Sequence, residues 1–455
     1  MQKLKSDFKI SLPKDVEVII SRLEERGYKA YAVGGAVRDS LLGKSPDDWD
    51  VTTSAVPDGI LEVFSDLTVI KTGVKHGTVT VRLNGKSYEV TTFRRDGDYL
   101  DSRRPESVEF SLDIKEDLMR RDFTVNAMAY NEKEGLIDLY GGIEDLNTKI
   151  LRAVGDPLER FGEDALRILR GVRFASQTGF KIERETYEAM KKRRSLLSKV
   201  SAERVFAETD KLLKGDFVKE ALLLYPEVIF EVIPELKPSY KFEQHTKWHL
   251  HDVYTHTAIA TASIKNRSEL RWCMLLHDIA KPEKFFTDEN GDGHFYGHPE
   301  LSSVMANGIL KRLKAPTKFT ERVCLLIKNH DKPFPKDRKK FKRLLCELGE
   351  ENVRALILIK YADHEGQGTK LAIDSNSALK KAENLLDDII KNSECFSLGG
   401  LEINGDDVKE VGFKGKEIGE VLQSVLEDII SGNIPNDRQK LLKSIQKRAE
   451  RRLQT

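Results

Sequence analysis

An α+β fold follows from three features of the 455-residue sequence. These are a helix-like opening segment, a cluster of short strand-like runs between residues 28 and 92, and helical periodicity from about residue 147 onward. Residues 14 to 27 are predicted as the opening helix. Tyr28 to Val33, Asp50 to Thr53, Thr78 to Leu83 and Ser87 to Thr92 are predicted as short strands separated by Gly or Asn turns. Asn84-Gly85, set between two strand-like runs, signals a hairpin that brings Glu89 into the same sheet as Asp50. Beyond residue 147, Leu and Ile recur at three- and four-residue spacing, so the rest of the chain is predicted helical. Leu398 to Asp407 reads as a Gly-rich joint leading into two amphipathic helices.

A chain of this length predicts about three or four domains. The 75 basic and 74 acidic residues nearly cancel, so net charge points to no partner. Local excesses are more informative: residues 147 to 215 carry 16 Lys or Arg against 10 Asp or Glu, and residues 436 to 455 carry seven against two. The tract Lys328 to Arg343 is also basic. Each patch is either an RNA phosphate contact or a solvated helix face. Cys273, Cys324, Cys346 and Cys395 lack paired short spacing, which argues against a disulfide framework or a cysteine zinc site, and they read as buried thiols. No run approaches the about 20 apolar residues of a membrane span, and no amino-terminal apolar signal is present, so no membrane association and a cytoplasmic location are expected.

The most informative stretch is Gly34-Gly35-Ala36-Val37-Arg38-Asp39 followed by Asp48-Trp49-Asp50. Gly34 and Gly35 let backbone N–H groups approach a triphosphate, Arg38 can fork onto its oxygens, and Asp48 and Asp50 can clamp Mg2+. A strand over residues 48 to 52 would turn both aspartates to one face and Trp49 and Val51 to the other. Two metal ions on shared carboxylates would activate a 3′ hydroxyl and neutralise the triphosphate and leaving pyrophosphate. Glu89 is a candidate third carboxylate, or else a solvated strand residue or the partner of an Arg.

Six segments in order, Gly34 to Asp39, Asp48 to Asp50, Thr72 to Val79, Glu89 to Arg94, Arg120 to Ala127 and Glu163 to Arg170, resemble the class II CCA-adding tRNA nucleotidyltransferases and their bacterial poly(A) polymerase relatives. The resemblance implies a polymerase-beta-like head followed by helical neck, body and tail, here placed at residues 1–146, 147–215, 216–396 and 397–455. It implies tRNA, CTP and ATP as partners and puts Arg121, Arg170 and Arg173 at the nucleotide. The alternative for Arg121 is an ion pair with Asp122 or Glu116, and for the Arg series a charged neck helix. In the family, a loop like the polar Arg94 to Pro105, which reads as mobile, accompanies the change from C to A addition.

Asp164 and Arg167 form a hydrogen-bond template for the base. Cytosine and adenine both present an amino donor beside a ring-nitrogen acceptor, whereas uracil and guanine present the reverse. Asp164 can accept from the amino group while Arg167 donates to the ring nitrogen, and U or G would leave buried groups unpaired. At about 100° per residue, Arg167 lies about 60° from Asp164, Arg170 about 120° and Arg173 about 180°, so Arg173 is not expected to share the base with Asp164.

Nine of the ten histidines fall between residues 245 and 364. His256, His277-Asp278 and Asp363 stand in the order of the HD phosphohydrolase superfamily, which this segment resembles, and His298 and His330 match further ligand positions. Imidazole and carboxylate suit several divalent metals. A degenerate remnant or a satisfied core pair is the alternative. His245, His249 and His251 have looser spacing, and His294 and His364 read as bystanders or supporting groups.

These readings together predict template-independent CCA addition to tRNA, with an accessory HD phosphohydrolase in the body. The alternatives are a poly(A) or A-adding polymerase, and an HD phosphohydrolase whose head recruits RNA.

Overall fold

A computed structural model describes residues 8–96 and 108–453. The chain divides into two compact units, one of residues 1–237 with 312–315 and the other of 238–311 with 316–455. The cuts expected at 146/147, 215/216 and 396/397 fall inside these units. Among the described residues no helix is long and apolar enough to cross a membrane.

The first unit holds a seven-stranded sheet in the order β3-β4-β5-β2-β1-β8-β9. Its strands are β1 (Ala30–Val33), β2 (Asp50–Thr53), β3 (Thr68–Ile70), β4 (Thr78–Leu83), β5 (Lys86–Thr92), β8 (Met128–Asn131) and β9 (Gly135–Asp138). β6 (Arg94–Asp96) and β7 (Val108–Phe110) pair separately as a ribbon. The first three residues of the predicted loop from Arg94 are thus strand, and its remainder, 97–105, lies outside the described residues. β2 and β5 are parallel with Asp50 opposite Glu89; the other neighbouring strands are antiparallel.

The helix Lys14–Glu25 buries Val16, Ile19, Ile20 and Leu23, the i, i+3, i+4, i+7 stripe that fits an amphipathic helix against a sheet. It ends two residues earlier than predicted. These side chains pack with Trp49, Val51, Val79, Val81 and Val90 in one core. Asp48 precedes β2 rather than lying in it, yet the alternation holds: Asp48 and Asp50 are exposed, and Trp49 and Val51 are buried. The helical segment that follows includes Pro157–Glu163, Leu166–Thr178, Arg184–Arg193 and Ala202–Leu213.

The second unit is almost wholly helical. Val253–Ser263, Ser268–Leu276, His298–Arg312, Thr317–Asn329 and Glu350–Gln367 surround the histidine-rich segment. Residues from Cys395 to Ile445 gather in a core of their own around Val425, Leu426 and Leu441. The joint at 398–407 leads, as predicted, into two long helices, Lys416–Ile430 and Arg438–Leu453, after a short one, Gly405–Glu410, capped by Asn404.

Two composition-based expectations change. Cys273 and Cys395 are buried, but Cys324 and Cys346 are only partly so. Part of the basic tract is tied down inside the unit: Arg338 pairs with Asp388 and Glu394, Lys342 with Glu394, and Arg343 with Glu427. Those three charges serve helix packing.

Candidate active site and a second metal-binding cluster

A cleft of about 430 Å³ in the first unit is lined by Gly34, Gly35, Arg38, Asp50 and Arg121 on the sheet side, and by Asp164, Arg167, Arg170 and Arg173 on the helical side. Gly34 has φ 76°, and a Cβ there would lie 3.1 Å from an Arg121 guanidinium nitrogen. Glycine therefore supplies the turn into the helix Gly35–Leu41 and lets Arg121 close on the backbone. The first amides of that helix have no partner within it.

Asp50 borders the cleft beside Asp48 and Glu89. Although Asp50 reaches solvent, desolvation by the atoms around it and then the Asp48 charge push its carboxyl up to about 6; Glu89 adds to this, and Arg121 opposes it. Like charges thus crowd Asp50, and carboxylate oxygens are the donors Mg2+ takes. Among the described residues, however, Asp48, Asp50 and Glu89 do not bring three ligand atoms within 4.8 Å of one another.

Arg38 is buried, and its fork is engaged by the protein itself: Nε and Nη2 donate to Asp39 at 2.9 Å each, and Nη1 to Asn126 at 2.6 Å. So held, Arg38 lines the cleft beside Gly34 and Gly35. Arg121 pairs with Asp117 at 3.2 Å, not with Asp122 or Glu116. Asp117 is fully buried and also accepts from Arg120 and Thr52, which fixes this segment onto β2.

The template pair sits differently from the helical estimate. Asp164 is extended, with φ −133° and ψ 103°, at the break between Pro157–Glu163 and Leu166–Thr178. One of its oxygens accepts from the Leu166 amide at 3.0 Å and the other from Arg204 at 3.0 Å. The rule of 100° per residue does not reach across that break, and Arg173 lines the same cleft as Asp164. Arg167 is held by Glu163 at 2.6 Å and by the carbonyls of Arg160 and Arg120. Arg170 donates to Asp122 at 2.8 Å, and Arg173 donates to Glu208 at 2.5 Å. Arg204 and Glu208 were missed in the sequence; an acidic and a basic residue four apart on a helix is too common a pattern to single them out.

In the second unit, six expected residues form two groups that share Asp278: His256, His277, Asp278 and Asp363, and then Asp278, His298 and His330. His277 and His330 follow helix C-termini, where main-chain carbonyls need donors, and His298 opens its own helix. Nδ1 of His277 faces Met274 O at 2.7 Å, Nδ1 of His298 faces Phe295 O at 2.9 Å, and Nδ1 of His330 faces Ile327 O at 2.7 Å. A carbonyl only accepts, so the proton sits on Nδ1, and in the neutral ring Nε2 is a lone pair.

The Nε2 atoms converge. Nε2 of His256, whose Nδ1 is buried without a partner, lies 3.1 Å from that of His277, and Nε2 of His298 and His330 lie 3.4 Å apart. His256 Nε2 is 3.1 Å from one oxygen of Asp278 and 3.2 Å from Asp363, while His298 Nε2 is 3.2 Å from the other oxygen of Asp278. Both Asp278 oxygens are buried without a hydrogen-bond partner, although Lys281 Nζ lies 2.7 Å from one as an ion pair. Donors about 3 Å apart are what ligands at about 2.1 Å from one ion produce. The set therefore fits divalent metal, with Asp278 offering an oxygen to each group. Gly366 permits the approach, since a Cβ there would lie 2.9 Å from both His256 O and Nδ1.

Of the remaining histidines, His249 packs near His256 and contacts Lys281 at 3.3 Å; burial and the Lys281 charge push its pKa down to about 3. His294 pairs with Asp288 and His364 with Asn376, and neither belongs to a ligand group. His245 and His251 belong to neither ligand group.

Residues 30–152 match the family model of the poly A polymerase head domain. Residues 179–239 match the probable RNA and SrmB-binding site of polymerase A, and residues 298–445 a putative tRNA nucleotidyltransferase domain 2. The CCA-adding enzyme of Ligilactobacillus salivarius is 34% identical over 468 aligned residues that cover 100% of both chains. That of Streptococcus mutans is 33% identical, covering 98% of this chain and 99% of its own. The crystal structure of the Bacillus stearothermophilus CCA-adding enzyme in complex with CTP superposes with a TM-score of 0.69 at 28% identity, covering 98% of this chain and 100% of the other. With its sheet-bearing head, arginine-lined cleft and full-length relatives, the chain belongs to the CCA-adding enzymes, a family of nucleotidyltransferases.

Proposed function

We propose that this protein extends the 3′ end of tRNA by C, C and A from CTP and ATP without a nucleic-acid template. The observation that carries the proposal is a single cleft that joins Asp50, with Asp48 and Glu89 beside it, to Asp164 and Arg167. Asp48 and Asp50 would hold Mg2+, which when bound supplies charge neutralisation at the triphosphate and eases ionisation of the attacking hydroxyl. Gly34 and Gly35 bring main-chain amides to the phosphates, and Arg121 adds positive charge beside them. Asp164 accepts the amino group of cytosine or adenine while Arg167 donates to the ring nitrogen. Arg204 orients Asp164, and Glu163 orients Arg167. Arg170 and Arg173, braced by Asp122 and Glu208, complete the cationic wall.

The test is addition to a tRNA transcript lacking CCA, with Mg2+ and CTP, ATP or both, followed by sequencing. Ordered growth to CCA and arrest is expected. Growth by A alone would move the protein to the A-adding or poly(A) branch.

A second activity, metal-dependent hydrolysis of phosphate esters at the Asp278 cluster, is supported by the converging imidazole Nε2 atoms and carboxylates. The metal supplies electrophilic activation of the ester when bound. Lys281, buried beside Asp278, places a positive charge at the same site. Phosphate release from mono- and diesters by the Mn2+-loaded chain tests it, and absence of both metal uptake and turnover would reject it.

A further inference from the structure

The wall of the Asp278 cavity carries aromatic rings besides its ligands, of which Phe295 packs on Phe285. The cavity, about 460 Å³, is lined by Trp248, His294, Phe295 and Tyr296 as well as the ligands, a size in the range that holds small-molecule ligands. Tyr296 is 73% exposed, the adjoining Phe286 46% and Trp248 41%. Single exposed aromatics are ordinary, but three beside one polar cavity are not.

They are also ordered as a stack. His294 and Tyr296 lie 5.3 Å apart at 22°, and Phe286 and His294 lie 5.3 Å apart at 29°. Asp288 holds His294 Nε2 at 2.9 Å while it caps the amides of Asn290 and Asp292, so the stack is braced from beneath. Only Gly297 separates Tyr296 from the ligand His298, which ties the outer ring to the metal cluster.

We infer that the Phe286–His294–Tyr296 stack is a base-stacking platform that seats the base of a nucleoside phosphate ester and brings its phosphorus to the Asp278 cluster. The inference rests on the hydrolytic reading of that cluster. A nucleotide combines the two features the cavity separates, a flat ring that stacks on an aromatic face and an anionic phosphate that Lys281 and the metal side attract. In the reaction on a cyclic diester, the oxygen of water forms a new bond to phosphorus. One ring P–O bond breaks, and the departing ribose oxygen takes up a proton from that water. Electron count is unchanged, and no further reactant is needed.

The test compares adenosine 2′,3′-cyclic phosphate with glycerol 1,2-cyclic phosphate, which has the same reacting ring and no base, on the full-length Mn2+-loaded protein. Tyr296→Ala is expected to lower the ratio of kcat/KM for the nucleoside diester over the glycerol diester about fivefold, the low end of one base–aromatic stack. Tyr296→Phe should keep the wild-type ratio, and metal content should be equal in all three proteins. An unchanged ratio in Tyr296→Ala with metal and turnover intact overturns the platform and leaves the hydrolytic reading standing. A wild-type protein that neither takes up Mn2+ nor turns over either diester overturns both.

Discussion

Asp122 accepts from Arg170 Nε at 2.8 Å across 48 positions of sequence, joining the segment after the sheet to the helix Leu166–Thr178. Asn126 extends the link, donating to Asp122 at 3.0 Å and accepting from Arg38 at 2.6 Å. Burial works against a charged Asp122. The Arg170 charge and the Asn126 hydrogen bond outweigh it and hold the carboxyl well below the ordinary carboxylate range. Because the folded value lies below the unfolded one of about 3.9, the stabilisation is present above that pH and is lost as pH falls below it. Urea unfolding should therefore show stability declining from about pH 4 downward, and Asp122→Asn should flatten that decline. An equal decline in the variant would place the acid sensitivity elsewhere. Arg170→Ala should cost about 2–3 kcal/mol at pH 7, less than a fully buried pair because Arg170 is partly exposed.

Asp50 predicts a different pH response. With its carboxyl pushed up to about 6 by desolvation and by Asp48, protons compete with divalent metal below that value and hardly at all above it. At limiting Mg2+, CMP incorporation should fall as pH drops from 7 to 5, and the Mg2+ concentration giving half-maximal rate should rise about tenfold per pH unit below 6. A half-saturating Mg2+ concentration that does not move over this range would exclude Asp50 as a metal ligand.

The sheet was legible where alternation and turn residues agree, as in β4, β5 and the Asn84-Gly85 turn between them. β8 and β9 escaped because all four residues of β8 are buried, so no alternation marks it, and β9 follows after a short turn. Asp50 and the metal-type ligands were recognisable because each role limits the residue type. Arg204 on Asp164, Glu208 on Arg173, Asn126 on Arg38 and Gly366 beside His256 were not, since they matter only through contacts distant in sequence. Arg38 and Arg173 show the converse: their positions were found, but their hydrogen-bonding and direction depended on an ion pair and a helix break that local spacing does not encode.

Asp164 has one oxygen on the Leu166 amide and the other on Arg204, so its carboxylate is oriented before any base arrives. Asp164→Ala should relax discrimination between CTP and UTP about 100-fold, the scale of one unmatched hydrogen bond to a charged group, with a smaller change in triphosphate affinity. Arg204→Ala should relax it less, because the carboxylate remains and only its orientation is loosened. Competition assays with both nucleotides measure the ratio directly. Unchanged selectivity in Asp164→Ala would falsify its role in base choice.

Asp278 contributes an oxygen to both ligand groups, so it is the residue whose loss should disturb the whole cluster. Asp278→Asn keeps the shape but removes the charge, and the amide NH2 it introduces would point a donor where a ligand is needed. Divalent metal affinity should fall at least about 100-fold, at the upper end of losses from disturbing a metal site's support. CMP incorporation by the same variant should stay within about twofold of wild type, since Asp48 and Asp50 lie in the other compact unit. Asp50→Ala should give the opposite pattern, with incorporation lost and Mn2+ content at the histidine cluster retained. Metal analysis after dialysis, run beside the incorporation assay on each variant, separates the two centres. A single variant that abolished both metal uptake at the histidines and nucleotide addition, while remaining folded, would mean that they operate as one coupled site.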